Sequence, residues 1–335
     1  LFRSSKAAAK EHKYALYSLG MLYLQGKGVE QNEETAYSLL FRSYSKGNPY
    51  AAYELGKLYE TGCGTEKNQE KSENCYRVAF LGFLNLEKRS KDDTLWYRIG
   101  CMYLHGIGTE ADETKAEHYL TKASDYGNTH ASYQLARLYI RQESQKLSGE
   151  SGTAPDYAKI AKAVKWLEES AAQENPFADY ALGRLYREGT LVVADMEKAI
   201  FHLKRAADAG NSYAQYQLGK IYLEEEIRNI PSAIQYLTLA AKQKNEFAAY
   251  RLGNLYLAGE ELPKNTELAL HYLKMAADTG NQYAQYALGK VYLIGKDVQQ
   301  DKELAYDYFL KSAEQGNIYA AYFLEHWNDM PHPDL

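Results

Sequence analysis

The pair Leu-Gly, or a close variant of it, recurs along the chain at nearly constant intervals. The copies stand at Leu19-Gly20, Leu55-Gly56, Ile99-Gly100, Leu135-Ala136, Leu182-Gly183, Leu218-Gly219, Leu252-Gly253 and Leu288-Gly289, and Leu324 opens a last partial copy. Successive copies are 36, 44, 36, 47, 36, 34, 36 and 36 residues apart. Such a period is typical of proteins built from stacked units, each of which buries its apolar face only against its neighbours. The sequence therefore predicts a solenoid.

Residues 282–317 show what one unit contains. Ala284, Leu288 and Tyr292 recur at helical spacing before Gly295, and a second helical period runs from Ala305 to Ala313. The unit closes with Gly-Asn, two residue types that tolerate the left-handed conformation that ends a helix. We predict that each unit is a first helix, a loop, a second helix and a Gly-Asn turn.

These residues resemble the Sel1-like repeat, a relative of the tetratricopeptide repeat. The shared phrase A-x-Y-x-L-G-x-x-Y-x-x-G is plain in residues 214–222, 248–259 and 284–295, and an Ala-rich second helix follows it. The resemblance covers nearly the whole chain. It implies an all-α solenoid, a right-handed superhelix of about eight helix-loop-helix repeats, used as a protein- or peptide-binding scaffold. The tyrosine-rich sequence also resembles, more distantly, the repeat regions appended to mobile-element relaxases of Gram-positive bacteria.

The repeats divide the chain throughout its length. We predict a single repeat solenoid over 1–335, with repeats at 14–48, 49–94, 95–128, 129–175, 176–211, 212–245, 246–281 and 282–317. Residues 1–13 read as the second helix of a preceding repeat, which indicates a fragment of a longer protein, and 318–335 as a partial repeat and tail. Two repeats are irregular: the second helix of the second repeat is expected to continue through 80–86, and 141–155 is expected to be a flexible loop.

Composition limits the classes of function. The net charge is −5 and the acids are dispersed, which argues against a nucleic-acid surface. No apolar run is long enough to span a membrane, and the three cysteines show no regular pairing, which favours a reducing cytoplasm. The histidines and acids do not recur at the spacing of metal ligands or of a catalytic triad. We expect no cofactor, no metal and no enzymatic activity; the oligomeric state stays open.

Tyrosine, at 32 residues, forms two columns. The first column stands two residues before each Leu: Tyr17, Tyr53, Tyr97, Tyr133, Tyr180, Tyr216, Tyr250, Tyr286 and Tyr322. The second column stands four residues after it, from Tyr23 to Tyr292, and shares the helix face of the Leu. We therefore assign the second column to the core and the first column to another face.

That other face carries a stripe of rings and cations. Aromatic residues stand five before the Leu, and cations or Asn stand two after it. In repeats of this family the first helix is implied to line the concave side. We predict a groove that binds another protein or an acidic peptide and is formed by Tyr180, Arg184, Tyr213, Tyr216, Lys220, Phe247, Tyr250, Asn254, Tyr283, Tyr286 and Lys290.

The residues leave other interpretations open. The first tyrosine column either contacts a ligand or packs each ring against the next repeat. The cations either face a ligand or pair within their helix, as Arg184 with Glu188 and Lys220 with Glu224. The alternative function is a structural spacer, or an accessory repeat region of a larger protein such as a DNA-mobilisation relaxase.

Overall fold

The computed structural model describes residues 12–149 and 154–327, and within these ranges the chain is helical without a strand. The described residues form seventeen α-helices: α1 Lys13–Gln25, α2 Glu33–Ser45, α3 Pro49–Thr61, α4 Gln69–Glu87, α5 Asp93–His105, α6 Glu113–Asp125, α7 Thr129–Ser148, α8 Tyr157–Ala172, α9 Pro176–Glu188, α10 Met196–Asp208, α11 Ser212–Ile221, α12 Ile230–Lys242, α13 Glu246–Ala258, α14 Thr266–Asp278, α15 Gln282–Ile294, α16 Lys302–Glu314 and α17 Ile318–Glu325. A 3₁₀ turn spans Glu225–Ile227. The odd-numbered helices are the first helices of their repeats and the even-numbered helices are the second, so the predicted all-α solenoid-like fold is confirmed.

The helices form two compact units. Unit 1 extends through Trp166, and unit 2 begins at Leu167. The second helix expected over 1–13 lies outside the described residues, except that Lys13 opens α1. Of the partial repeat at 318–335, the described part is α17 and the two residues after it.

Asparagine begins most of the first helices. Asn281, for example, has extended backbone dihedrals, and its side-chain oxygen accepts the N–H of Ala284 at 2.9 Å, which satisfies an otherwise free donor of the first turn. The prediction that both residues of the Gly-Asn turn end a helix is therefore wrong for the asparagine, which begins the next helix. Gly316 has a left-handed φ of 89°, whereas Asn317 has a φ of −72° and caps the next helix. Only the glycine ends a helix in the left-handed conformation.

The Leu-Gly pair holds the two helices of a repeat together. Leu218 is fully buried, and the glycine after it leaves room for a leucine of the second helix. A Cβ placed on Gly219 would lie 2.5 Å from Cγ of Leu237, closer than two carbons can approach. The repeated glycine is thus a requirement of close packing between first and second helices.

The second tyrosine column lies in this core, as predicted. Tyr292 stacks on Tyr308 of its own second helix with ring centroids 6.1 Å apart and planes 4° apart. Tyr186 stacks in the same way on His202, at 6.1 Å and 11°. Cys75 takes the corresponding position of the second helix in the second repeat, and it is buried.

The two irregular repeats differ from each other. The predicted extension of the second repeat is confirmed, because α4 has 19 residues where most helices have 13. The predicted loop at 141–155 is wrong in its first half, because α7 continues to Ser148. Ala136, Tyr139 and Glu143 are buried and lie on one helix face. Glu143 accepts hydrogen bonds there from Lys146 at 2.8 Å and from the backbone N–H of Asp156 at 2.7 Å.

Candidate functional site: a row of rings and cations on the first helices

In unit 2 the first tyrosine column contacts the rings that stand five residues before the next Leu. Each tyrosine meets the ring of the following first helix, with centroids 5.9–6.2 Å apart and planes tilted by 36–41°. The pairs are Tyr180 with Tyr213, Tyr216 with Phe247, Tyr250 with Tyr283, and Tyr286 with Tyr319. We call these eight rings the aromatic row. Contact between repeats, one of the two interpretations of the column, is therefore present in unit 2.

The two members of each pair differ in exposure. The tyrosines of the first column are half-buried, and burial raises the pKa of Tyr216 and of Tyr286. The outer rings face solvent: Tyr213 is 58 %, Phe247 44 %, Tyr283 51 % and Tyr319 62 % exposed. Monomeric proteins rarely expose a contiguous set of large apolar groups unless it has a binding role.

The predicted lysines lie against this row. The Lys220 ammonium is 5.6 Å from the ring centroid of Tyr216, and the Lys290 ammonium is 5.7 Å from that of Tyr286. Both distances are within the range of cation–π attraction. Within the part of the chain that the structure describes, no carboxylate forms a salt bridge with either lysine.

Of the two ion pairs considered within single helices as an alternative to ligand contact, one is present. Arg184 and Glu188 pair at 2.6 Å. Lys220 and Glu224 form no salt bridge, and Glu224 instead accepts a hydrogen bond from Arg187 of the preceding repeat at 2.5 Å. Arg187 also donates to Gln217 Oε1 at 2.6 Å, so its guanidinium is held in place by two residues of the next repeat.

Two arginines join the predicted cations at the middle of the row. Burial, together with the positive charges of Arg187 and Arg251, lowers the pKa of the Lys220 ammonium, whereas Glu224 acts in the opposite direction. Arg251 is exposed, and its positive charge also acts on Tyr216, where it opposes the rise in pKa that burial causes. Neither arginine belongs to a predicted column. Arg187 stands where most repeats have Leu, and Arg251 directly precedes Leu252, a position whose residue type varies from repeat to repeat.

A recess of about 370 Å³ lies between α13 and α15. Four of the predicted residues, Tyr250, Asn254, Tyr286 and Lys290, line it. Apolar side chains of Leu257, Ala287, Val291 and Ile294 supply most of the remaining surface. The other predicted residues, Tyr180, Arg184, Tyr213, Tyr216, Lys220, Phe247 and Tyr283, do not line the recess; they lie along α9, α11, α13 and α15.

Among the described residues, no three His, Cys, Asp or Glu side chains come together as a possible metal site. None of the described helices combines the length and the apolar character needed to cross a bilayer. Cys63, Cys75 and Cys101 are free thiols.

Stacked helix pairs with a repeated Leu-Gly contact and a capped turn define an α-helical repeat protein. The Sel1 repeat family model matches residues 13–48, 49–80, 97–128, 129–175, 176–211, 212–245, 247–281 and 282–317. The chain therefore belongs to the Sel1 repeat family, whose members generally serve as protein-interaction scaffolds.

Two solved structures share the fold over most of their length. A Sel1 repeat protein from Oxalobacter formigenes is 25 % identical, with a TM-score of 0.60, over 97 % of this chain and 89 % of the other. The protein c5321, a protective antigen present in uropathogenic Escherichia coli strains, is 24 % identical with a TM-score of 0.59, over 95 % of this chain and 72 % of the other. A search of curated proteins gives no match.

Proposed function

We propose that this chain is a non-catalytic scaffold that binds an acidic segment of another protein along the aromatic row of unit 2. The observation that carries the proposal is the combination of exposed outer rings with lysines that form no salt bridge among the described residues. The family supports the general class of function, and the exposed rings with their lysines support the row as its location.

The rings supply the apolar part of such an interface. Tyrosine and phenylalanine give large rigid contact areas at a small cost in side-chain entropy, and they are enriched where binding energy concentrates. The inner tyrosines are already fixed by the contact between repeats, so the outer rings stand on a preorganised base. Less ordering is then required on binding, which favours affinity.

The cations determine which partner fits. Lys220, Arg187 and Arg251 raise the local positive potential at Tyr216, and Lys290 does the same at Tyr286. The whole chain has a net charge of −5, so this positive potential is a local feature of the row. Carboxylates of the partner would complement it and orient the segment.

A selection from a phage-displayed library of random 16-residue peptides tests this proposal on the intact chain. We expect the enriched peptides to be rich in Asp and Glu. The double variant Lys220→Glu/Lys290→Glu should weaken their binding by about tenfold to a hundredfold, because attraction becomes repulsion at two points. Binding to the unchanged chain should also weaken as salt rises.

The matched control is Lys204→Glu/Lys242→Glu, which changes the net charge equally at two exposed positions of second helices. Lys198 is less suitable, because it pairs with Asp195 at 3.5 Å and lies 5.0 Å from the ring centroid of Tyr186. Peptide binding should survive in the control. Enrichment of peptides without acids, or equal loss in both double variants with helicity intact, would contradict the proposal.

A further inference from the structure

We infer that the recess between α13 and α15 is an anchor pocket that takes one large apolar side chain of the bound acidic segment, with Lys290 beside it for a neighbouring carboxylate. This inference rests on the proposed function and adds a sequence requirement to it. The partner would carry a Phe- or Leu-sized residue close to an Asp or Glu.

The chemistry of the recess indicates an apolar occupant. Its volume of about 370 Å³ lies at the small end of ligand pockets, which suits one side chain better than a large cofactor. Leu257, Val291 and Ile294 provide aliphatic contacts, and Ile294 is 55 % exposed. Filling the recess would remove this apolar surface from water.

A small residue keeps the recess open. Ala287 lines it and immediately precedes Leu288, whereas the residues that precede Leu252 and Leu218 are Arg251 and Gln217. A longer side chain at this register would project into the space that Ala287 leaves. At the same register, α11 and α13 therefore carry longer side chains than α15 does.

The polar rim favours an acidic neighbour for the apolar group. Lys290 and Lys296 line the recess. Asp297, the acidic residue of the lining, forms an ion pair at 2.6 Å with Lys264, which lies in the loop between the two helices of the preceding repeat. That ion pair fixes one end of the rim and reduces the repulsion that Asp297 would exert on an entering carboxylate. Asn254 and the two tyrosines provide hydrogen-bonding groups for a peptide backbone.

The test repeats the peptide selection on an Ala287→Trp variant, which fills the recess while Lys220 and Lys290 stay unchanged. We expect the unchanged chain to enrich peptides with one large apolar residue at a fixed distance from an acid. The variant should keep the preference for acids and lose the preference for the apolar residue. The matched control is Ala181→Trp, at the same register of α9, which adds equal bulk away from the recess.

A synthetic copy of an enriched peptide then completes the comparison. Replacing its apolar residue by Ala should raise Kd at least tenfold on the unchanged chain and on Ala181→Trp, and should have little effect on Ala287→Trp. Acidic peptides with no apolar preference, or a preference that survives Ala287→Trp, would overturn the anchor pocket while leaving the proposed function standing. Binding of apolar peptides without acids would overturn both.

Discussion

The same columns of residues make different contacts in the two units. In unit 2 the aromatic row runs without a break from Tyr180 to Tyr319. In unit 1 the corresponding contacts are Tyr17 with Tyr50 and Tyr97 with His130, each at 6.0 Å, but Tyr53 has no such partner. The position five residues before Ile99 is Thr94, so the next first helix offers no ring.

The long second helix of unit 1 occupies the gap. Phe83, in the extension of α4, is fully buried and lies 5.1 Å from the ring centroid of Tyr50 and 6.3 Å from that of Tyr53. Arg98 covers the same two tyrosines at 5.5 and 5.7 Å. Rings and a cation that stand open in unit 2 thus serve internal packing in unit 1. The column is therefore left open to solvent only where the neighbouring second helix is short enough to leave it uncovered.

We expect the largest loss of stability from a substitution that removes this internal packing. Phe83→Ala removes a fully buried ring and leaves a cavity beneath Tyr50 and Tyr53, so we expect the free energy of unfolding to fall by about 3–5 kcal/mol. Denaturant unfolding followed by circular dichroism measures it. A loss below about 1 kcal/mol would show that the extension of α4 does not hold the rings.

Truncating the buried Leu of the repeat should destabilise both units by similar amounts. Leu218 and Leu55 are each fully buried between helices, so we expect Leu218→Ala and Leu55→Ala to cost about 2–5 kcal/mol each. Chemical denaturation of the two variants checks this. Because repeat stability depends on neighbours, the transition should also broaden. A cost below about 0.5 kcal/mol at either position would contradict the shared core.

A smaller difference between the units lies in one turn of each. Gly47 in unit 1 has a left-handed φ of 73°, and Lys244 in unit 2 takes the same turn with a φ of 61°. No atom lies within 4 Å of a Cβ placed on Gly47, so a substitution there changes stability only through the backbone conformation. We expect Gly47→Ala to cost about 1 kcal/mol and Lys244→Gly to gain up to about 1 kcal/mol. Equal signs in thermal or denaturant unfolding would contradict this.

The smallest effect concerns alkaline pH. Burial raises the pKa of Tyr97 in unit 1 to about 12, above the usual value near 10. Because the unfolded chain then loses this proton more readily, the contribution of Tyr97 to stability is complete below about pH 10 and is lost as pH rises toward 12. We expect Tyr97→Phe to reduce the fall in stability between these pH values. An identical slope in both proteins would contradict the assignment.

Sequence periodicity identified the parts of the fold that repeat. The Leu-Gly pairs, the second tyrosine column and the extension of α4 follow from apolar residues at helical spacing, which depends on local geometry alone. The extension of α7 was missed because its buried face carries Glu143, a residue type that normally indicates solvent. Its burial depends on Lys146 and on the distant backbone of Asp156.

For the candidate site, too, the sequence predicted the positions that recur within each repeat but not the contacts between repeats. The columns located Tyr216, Tyr250, Tyr286 and both lysines, but not the contacts that decide which cations remain available. Arg187 and Glu224 are 37 positions apart, and their pairing depends on how one repeat packs on the next. The recess likewise depends on Ala287 of α15, whose small side chain matters only because α13 lies on the other side of the recess. Such features are not contained in a single repeat.

Site-specific photocrosslinking tests the central claim most directly. Benzoylphenylalanine would replace Tyr283, an outer ring of the open row, or Tyr50, its counterpart beneath the extension of α4. With an acidic peptide enriched on the unchanged chain, we expect a crosslink at position 283 that excess unlabelled peptide abolishes, and none at position 50. A competable crosslink at 50 alone, or none at 283 while the peptide still binds, would contradict the assignment of the aromatic row of unit 2 as the binding surface.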